Sequence, residues 1–172
     1  MATVVRSADV APQPWTNGGG TTRELLLGPD GSWRVSLADV DTDGPFSTFP
    51  GRHRLLTVVD GPVLRLVVDG EEVLVEPRRP FAFDGGAEVS ASVPEGPVRV
   101  LNVIAEPAVE AFVTVLELGR TSALPLADDQ AALVLQGRAS AGDAEAAAYD
   151  LVVGPGDVSG RCTLAVVTLQ RR

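Results

Sequence analysis

The segment Trp15-Thr16-Asn17-Gly18-Gly19-Gly20-Thr21-Thr22-Arg23-Glu24 holds the densest set of ligand-ready groups in the chain. An aromatic ring can stack on a small molecule, an amide and hydroxyls can orient it, and an arginine can grip an anion through two parallel hydrogen bonds. Each glycine in an ordered element costs ~0.5–1 kcal/mol relative to alanine. A run of them is kept where the backbone needs positive φ or where something must approach closely. A second cluster, Phe46-Ser47-Thr48-Phe49-Pro50-Gly51-Arg52-His53-Arg54, compresses two aromatics, hydroxyls and two arginines around the single histidine.

Other chemistries fail on residue type. The glycine run lacks the lysine that completes a phosphate loop. Asp39-Val40-Asp41-Thr42-Asp43-Gly44 opens like a calcium loop, but the twelfth position is Pro50, which supplies no carboxylate. One histidine and one distant cysteine, Cys162, argue against a first-row metal centre, which draws on several histidines with a carboxylate. No Gly-x-Ser-x-Gly elbow is present. A lone cysteine forms no internal disulfide, and Cys162 in its apolar stretch reads as an inert buried thiol.

Composition narrows the class further. The 172 residues carry a net charge of −9, and all 14 basic residues are arginine. An acidic surface disfavours nucleic acid and anionic membrane as partners, so any anion must be met by locally placed arginines. A hydrophobic content of 45% fits a folded globular protein. No apolar run approaches the ~20 residues of a membrane helix. The N-terminus lacks the apolar core of a signal peptide. A cytoplasmic protein is expected.

The elements that must hold these residues read as strands. Short Val-, Leu- and Phe-rich runs recur between Gly, Pro and Asp. They are expected at 33–37, 55–59, 63–68, 73–75, 81–83, 88–93 and 98–104, then at 112–118, 132–135, 149–153 and 164–169. The Ala-rich stretch 139–148 is expected as a short helix or a loop. Leu66-Val67-Val68-Asp69-Gly70 echoes Leu133-Val134-Leu135-Gln136-Gly137, which hints at two β-barrel units in tandem. The expected class is therefore all-β, as a sandwich or barrel. Arg65 and Asn102 each fall in phase with apolar neighbours and are candidates for pointing into a cavity.

Ordered blocks of this sequence resemble the HutD/Ves family. They are Trp15 to Glu24, Trp33 to Val40, Asp43 to Arg54, Pro80 to Gly85 and Gly96 to Val103. The resemblance covers roughly the first 105 residues and implies a metal-free double cupin, two double-stranded β-barrel halves in one chain. The halves are expected at residues 1–106 and 107–172. It further implies a bacterial small-molecule-binding protein without cofactor, linked to histidine utilisation through a formylglutamate-like acid, or to a stress response. At three places the chain departs from the family's usual acids: His53, Gly86 and Val100. Those losses are expected to make the pocket less acidic.

On this footing Arg23, with Arg34 or Arg54, is expected to pair with a ligand carboxylate. Trp15, Phe46 and Phe49 are expected as apolar walls. Asn17, Thr22, Glu24, Ser36, Ser47 and Asn102 are the expected polar contacts, with Gly19 and Gly20 giving close approach. An alternative is a cofactor-free isomerase or epimerase with His53 as general base. A third reading is a structural or interaction scaffold in which Arg23 and Glu24 form a buried pair. Exposed strand edges leave room for a homodimer.

Overall fold

The computed structural model describes all residues, 1–172. Its strands begin with β1 (Thr3–Val5), β2 (Gln13–Pro14), β3 (Gly20–Leu27), β4 (Trp33–Val40), β5 (Gly44–Pro45) and β6 (His53–Asp60). β7 (Leu64–Val68), β8 (Glu71–Val75), β9 (Phe81–Asp84), β10 (Val89–Ser92) and β11 (Val98–Ala105) follow. Then come β12 (Val109–Leu118), β13 (Ala123–Leu126), β14 (Gln130–Gly137), β15 (Ala139–Ala141) and β16 (Ala144–Ala146). The last are β17 (Leu151–Val153), β18 (Gly156–Ser159) and β19 (Cys162–Arg171). One 3-10 turn, Ser7–Asp9, is the sole helical element. The fold is all-β and cupin-like, with no helix long and apolar enough to cross a membrane.

The chain forms two compact units. The N-terminal unit, Ala11–Val109, has sheets ordered β2-β3-β4-β11-β6-β9 and β5-β10-β7-β8. Its core holds Val40, Leu56, Val58, Leu64, Leu66, Val98 and Val100, with Trp15 and Phe46 packed against it. Alternation explains much of this: in β7, Leu64 and Leu66 are buried while Arg65 is exposed. Arg65 therefore faces away from the core, donating to Ser92 Oγ at 3.1 Å, and the cavity role considered for it does not hold. Asn102 is buried.

The C-terminal unit comprises Glu110–Arg172 together with Met1–Val10, with sheets ordered β1-β17-β14-β19-β12 and β13-β18-β15-β16. The first ten residues thus group with the second half and not with the first, because Thr3, Val4 and Val5 pair with Val153, Val152 and Leu151. The Asp150 carboxylate ties that segment down, accepting from Arg6 Nη1 at 3.3 Å and from Ser7 N at 3.2 Å. The Ala-rich stretch is neither helix nor loop; β15 and β16 form a hairpin. Ala139, Ala141 and Ala146 point into the core, where their small size outweighs alanine's helix preference. Cys162 belongs to the same core; burial pushes its thiol pKa up, and its S–H donates to the Gly160 carbonyl at 3.4 Å.

The two units repeat one plan. β6 pairs with β11 through a bulge at Val59, and β14 pairs with β19 through a bulge at Leu135. Two residues beyond each bulge stands a glycine at positive φ, Gly61 at 88° and Gly137 at 79°. A Cβ on Gly61 would meet the Pro97 carbonyl, and one on Gly137 the Arg161 carbonyl. Gly61 and Gly137 are therefore the corresponding residues of the repeat, and Leu66–Gly70 does not correspond to Leu133–Gly137.

Candidate functional site

A cavity of about 330 Å³ opens within the N-terminal unit. Strand register builds its floor in two rows. Across β4, β11 and β6 run Arg34, Ile104 and Arg54, and Phe83 on β9 continues the row into the core. Across β3, β4 and β11 run Glu24, Ser36 and Asn102. Strand side chains repeat on a face every second residue, so the rows stand about 7 Å apart.

The walls come from two loops. Phe46 N donates to Val89 O at 2.9 Å and Phe49 N to Gly85 O at 2.6 Å, which pins the Phe46–Phe49 segment over the floor. Trp15 meets Phe46 edge-to-face at 5.8 Å, and its Nε1 donates to Thr22 Oγ1 at 2.8 Å. Gly20 begins β3 where a Cβ would collide with the Asp39 carbonyl and press within 3.1 Å of the Trp15 ring. The bare backbone of the glycine run thus seats the indole.

Arg54 is boxed in. Its guanidinium lies 5.5, 5.1 and 4.9 Å from the ring centroids of Phe46, Phe49 and Phe83. Nη1 donates to the Ser47 carbonyl at 3.1 Å and Nη2 to Asn102 Oδ1 at 3.4 Å. Arg34 lies 4.9 Å from the same Phe49 ring. Burial, and then the neighbouring charge of Arg34, push the Arg54 guanidinium down to about 10, which leaves it charged at neutral pH. Neither arginine has a carboxylate partner, and the Nε atoms of both are buried without a hydrogen bond. Two buried donors left open beside two unneutralised charges are a costly arrangement, and it suits an incoming anion.

Of the residues expected from sequence, Trp15, Asn17, Thr22, Glu24, Arg34, Ser36, Phe46, Ser47, Phe49, Arg54 and Asn102 all line this cavity. Gly19, Gly20 and Arg23 do not. Thr22 and Glu24 turn inward on β3, so Arg23 between them turns outward, 3.9 Å from Asp39, which also accepts from Arg99 Nε at 2.7 Å. Arg34 and Arg54, not Arg23, are the arginines at the cavity. The buried Arg23–Glu24 pair of the scaffold reading is absent, since Glu24 is exposed and Arg23 pairs with Asp39. Asn17 lines the cavity, but its amide is engaged by the loop: Oδ1 accepts from Gly19 N at 2.8 Å and Nδ2 donates to Pro45 O at 3.2 Å.

His53, the candidate base, precedes Arg54 on β6 and lies outside the lining by the same alternation. Gly86 and Val100 also lie outside it, so none of the three departures from the family's acids changes the cavity wall. Gln13, Pro14, Thr16, Pro45 and Ile104 also line the cavity and were not among the expected site residues. Ile104 stands two residues from Asn102, so alternation alone points to it. Phe83 lies outside the lining and reaches the Arg54 guanidinium because β9 pairs with β6. No group of three His, Cys, Asp or Glu side chains converges in the chain. A cleft of equal volume in the C-terminal unit, at Glu117, Gln136, Arg161 and Thr163, contains no such open arginine pair.

A family model described as HutD matches residues 7–166. An uncharacterised 21.2 kDa protein in the hutC 3′ region of Pseudomonas putida is 41% identical over 115 residues, covering 60% of this chain and 58% of that protein. Protein Ves of Escherichia fergusonii is 38% identical over 87 residues, covering 48% and 46%. The chain therefore spans about half the length of the curated relatives it matches. Among solved structures, a conserved protein of unknown function from Pseudomonas aeruginosa PAO1 is similar with a TM-score of 0.87 at 28% identity, covering 100% of both chains. HutD from Pseudomonas fluorescens SBW25, in a formate condition, is similar with a TM-score of 0.81 at 30% identity, covering 99% of this chain and 100% of that one.

Proposed function

The chain belongs to the HutD family, and from that premise we propose that its N-terminal unit binds a small organic acid between Arg34 and Arg54. The observation that carries this reading is the pair of arginines on one cavity floor, each with a buried, unpartnered Nε–H and neither with a carboxylate. A ligand carboxylate supplies the opposite charge that both guanidiniums lack. Phe49 lies against both guanidiniums, and Trp15 and Phe46 give the apolar wall that a short carbon chain needs. The names of the relatives tie them to hut genes. In our reading the acid is accordingly a formylglutamate-like intermediate of histidine breakdown, and its binding adjusts that pathway. This role calls for no metal, nucleic acid or membrane, and it fits a cytoplasmic protein.

Calorimetry tests it with formate, glutarate and N-formylglutamate against the wild type and Arg54→Gln. The wild type is expected to bind at least one of them, and the variant to bind it ~100-fold more weakly, as loss of a charged hydrogen-bonded contact costs. Equal affinities, or no binding of any of the three acids, overturn the proposal.

A further inference from the structure

Glu24 is the single acidic residue lining a cavity whose floor is otherwise arranged for an anion. Its register partner is Ser36, and Ser36 pairs in turn with Asn102. Arg34 stands two residues from Ser36 on β4, at a diagonal that long side chains can span. Yet Glu24 forms no ion pair with Arg34 or Arg54; the arginine beside it in sequence, Arg23, is drawn to Asp39 instead. A bulge between Glu24 and Leu26 fixes this parity and holds the carboxylate at the cavity. The cavity therefore presents two open cations on one row and one open carboxylate on the next.

Asn102 gives the second row a direction. Its Oδ1 accepts from Arg54, which can only donate, so Nδ2 is the atom left for a ligand. The row then reads donor at Asn102, hydroxyl at Ser36, acceptor at Glu24. A secondary amide is complementary to that order: its carbonyl takes the Asn102 donor and its N–H meets Glu24. A bare dicarboxylate has no group for Glu24 and would be repelled by it.

We infer that Glu24 selects the ligand: the site takes carboxylic acids that carry an N–H donor beside the carboxylate, as acylated amino acids do, and discriminates against acids without one. This rests on the acid-binding reading above and adds the identity of the second contact. Comparing N-formylglutamate with its ester isostere, 2-formyloxyglutarate, isolates the N–H, because oxygen replaces only that group. Calorimetry on the wild type is expected to show the amide binding ~10-fold or more tighter than the ester, the range of a hydrogen bond to a charged acceptor. Glu24→Met, at an exposed position and checked for an unchanged melting temperature, is expected to bring the ratio to about one while the ester binds as well or better. Amide and ester binding equally to the wild type, or an unchanged ratio in Glu24→Met, overturns the selection and leaves acid binding standing. If neither compound nor any other acid binds the wild type, the acid-binding reading falls and this inference with it.

Discussion

The two halves of this chain share the order of four strands in each of their two sheets, a bulge and a turn glycine, yet only one holds the open arginine pair. Beyond the extra strands β2 and β3 of the N-terminal unit, the two sheets differ at a few corresponding positions. Counted from the bulges, Arg54 of β6 corresponds to Gln130 of β14, Ile104 of β11 to Thr168 of β19, and Asn102 to Val166. In the C-terminal unit Gln130 Nε2 donates to Thr168 Oγ1 at 3.1 Å, and Gln130 Oε1 accepts from Ala127 N at 2.9 Å. Val166 is buried among apolar neighbours. At these positions the polar groups satisfy one another. In the N-terminal unit the same frame carries an arginine too long and too charged to be satisfied by its surroundings. The fold is a common scaffold, and on the acid-binding reading the difference lies in which side chains are left incomplete.

The sharpest way to break that contrast is to rewrite one half as the other. Arg54→Gln with Ile104→Thr installs the C-terminal pair in the N-terminal sheet. Acid binding is expected to fall ~100-fold or more by calorimetry while the fold persists by circular dichroism. Next in size are the shared turns: Gly61→Ala and Gly137→Ala should each cost about 2 kcal/mol in urea unfolding, since both combine positive φ with a crowded carbonyl. Acid affinity should survive Gly137→Ala. Arg34→Met should weaken binding ~10-fold yet raise stability by about 1 kcal/mol, because it removes a like charge from Arg54 and an unpartnered buried donor. The smallest effect is that of pH. Arg54, lowered to about 10, stays protonated from pH 6 to 9, so affinity should be flat across that window and decline only as pH rises through 10. A fall in affinity between pH 6 and 8 would point to a different anion-holding group.

Periodicity made most strands legible, and with them Arg34 and Ser36, which alternate with Trp33, Val35 and Leu37, and Asn102, which falls in phase with Val98, Val100 and Ile104. Phe46, Phe49 and Arg54 were legible as a cluster of unusual types. The strand β3 was not, because Gly20-Thr21-Thr22-Arg23-Glu24 lacks apolar alternation and takes its conformation from pairing with β4. Without that strand the parity of Thr22, Arg23 and Glu24 is undetermined, which is why Arg23 looked like the anion holder. The hairpin at 139–146 was hidden because alanine, chosen there for size, carries a helical preference. The attachment of residues 1–10 to the second half depends on contacts more than 140 residues apart in sequence, such as Arg6 with Asp150, which no local pattern encodes.

Arg54 is held before any ligand arrives: three rings enclose its guanidinium, and two acceptors fix the orientation of its terminal nitrogens. Its rotameric entropy has therefore already been lost on folding, together with most of its water. A molecule of only a few heavy atoms offers little contact area, and it can be retained only where its receptor does not have to be ordered around it. On the acid-binding reading, the aromatic enclosure lets a small acid enter without ordering the site around it.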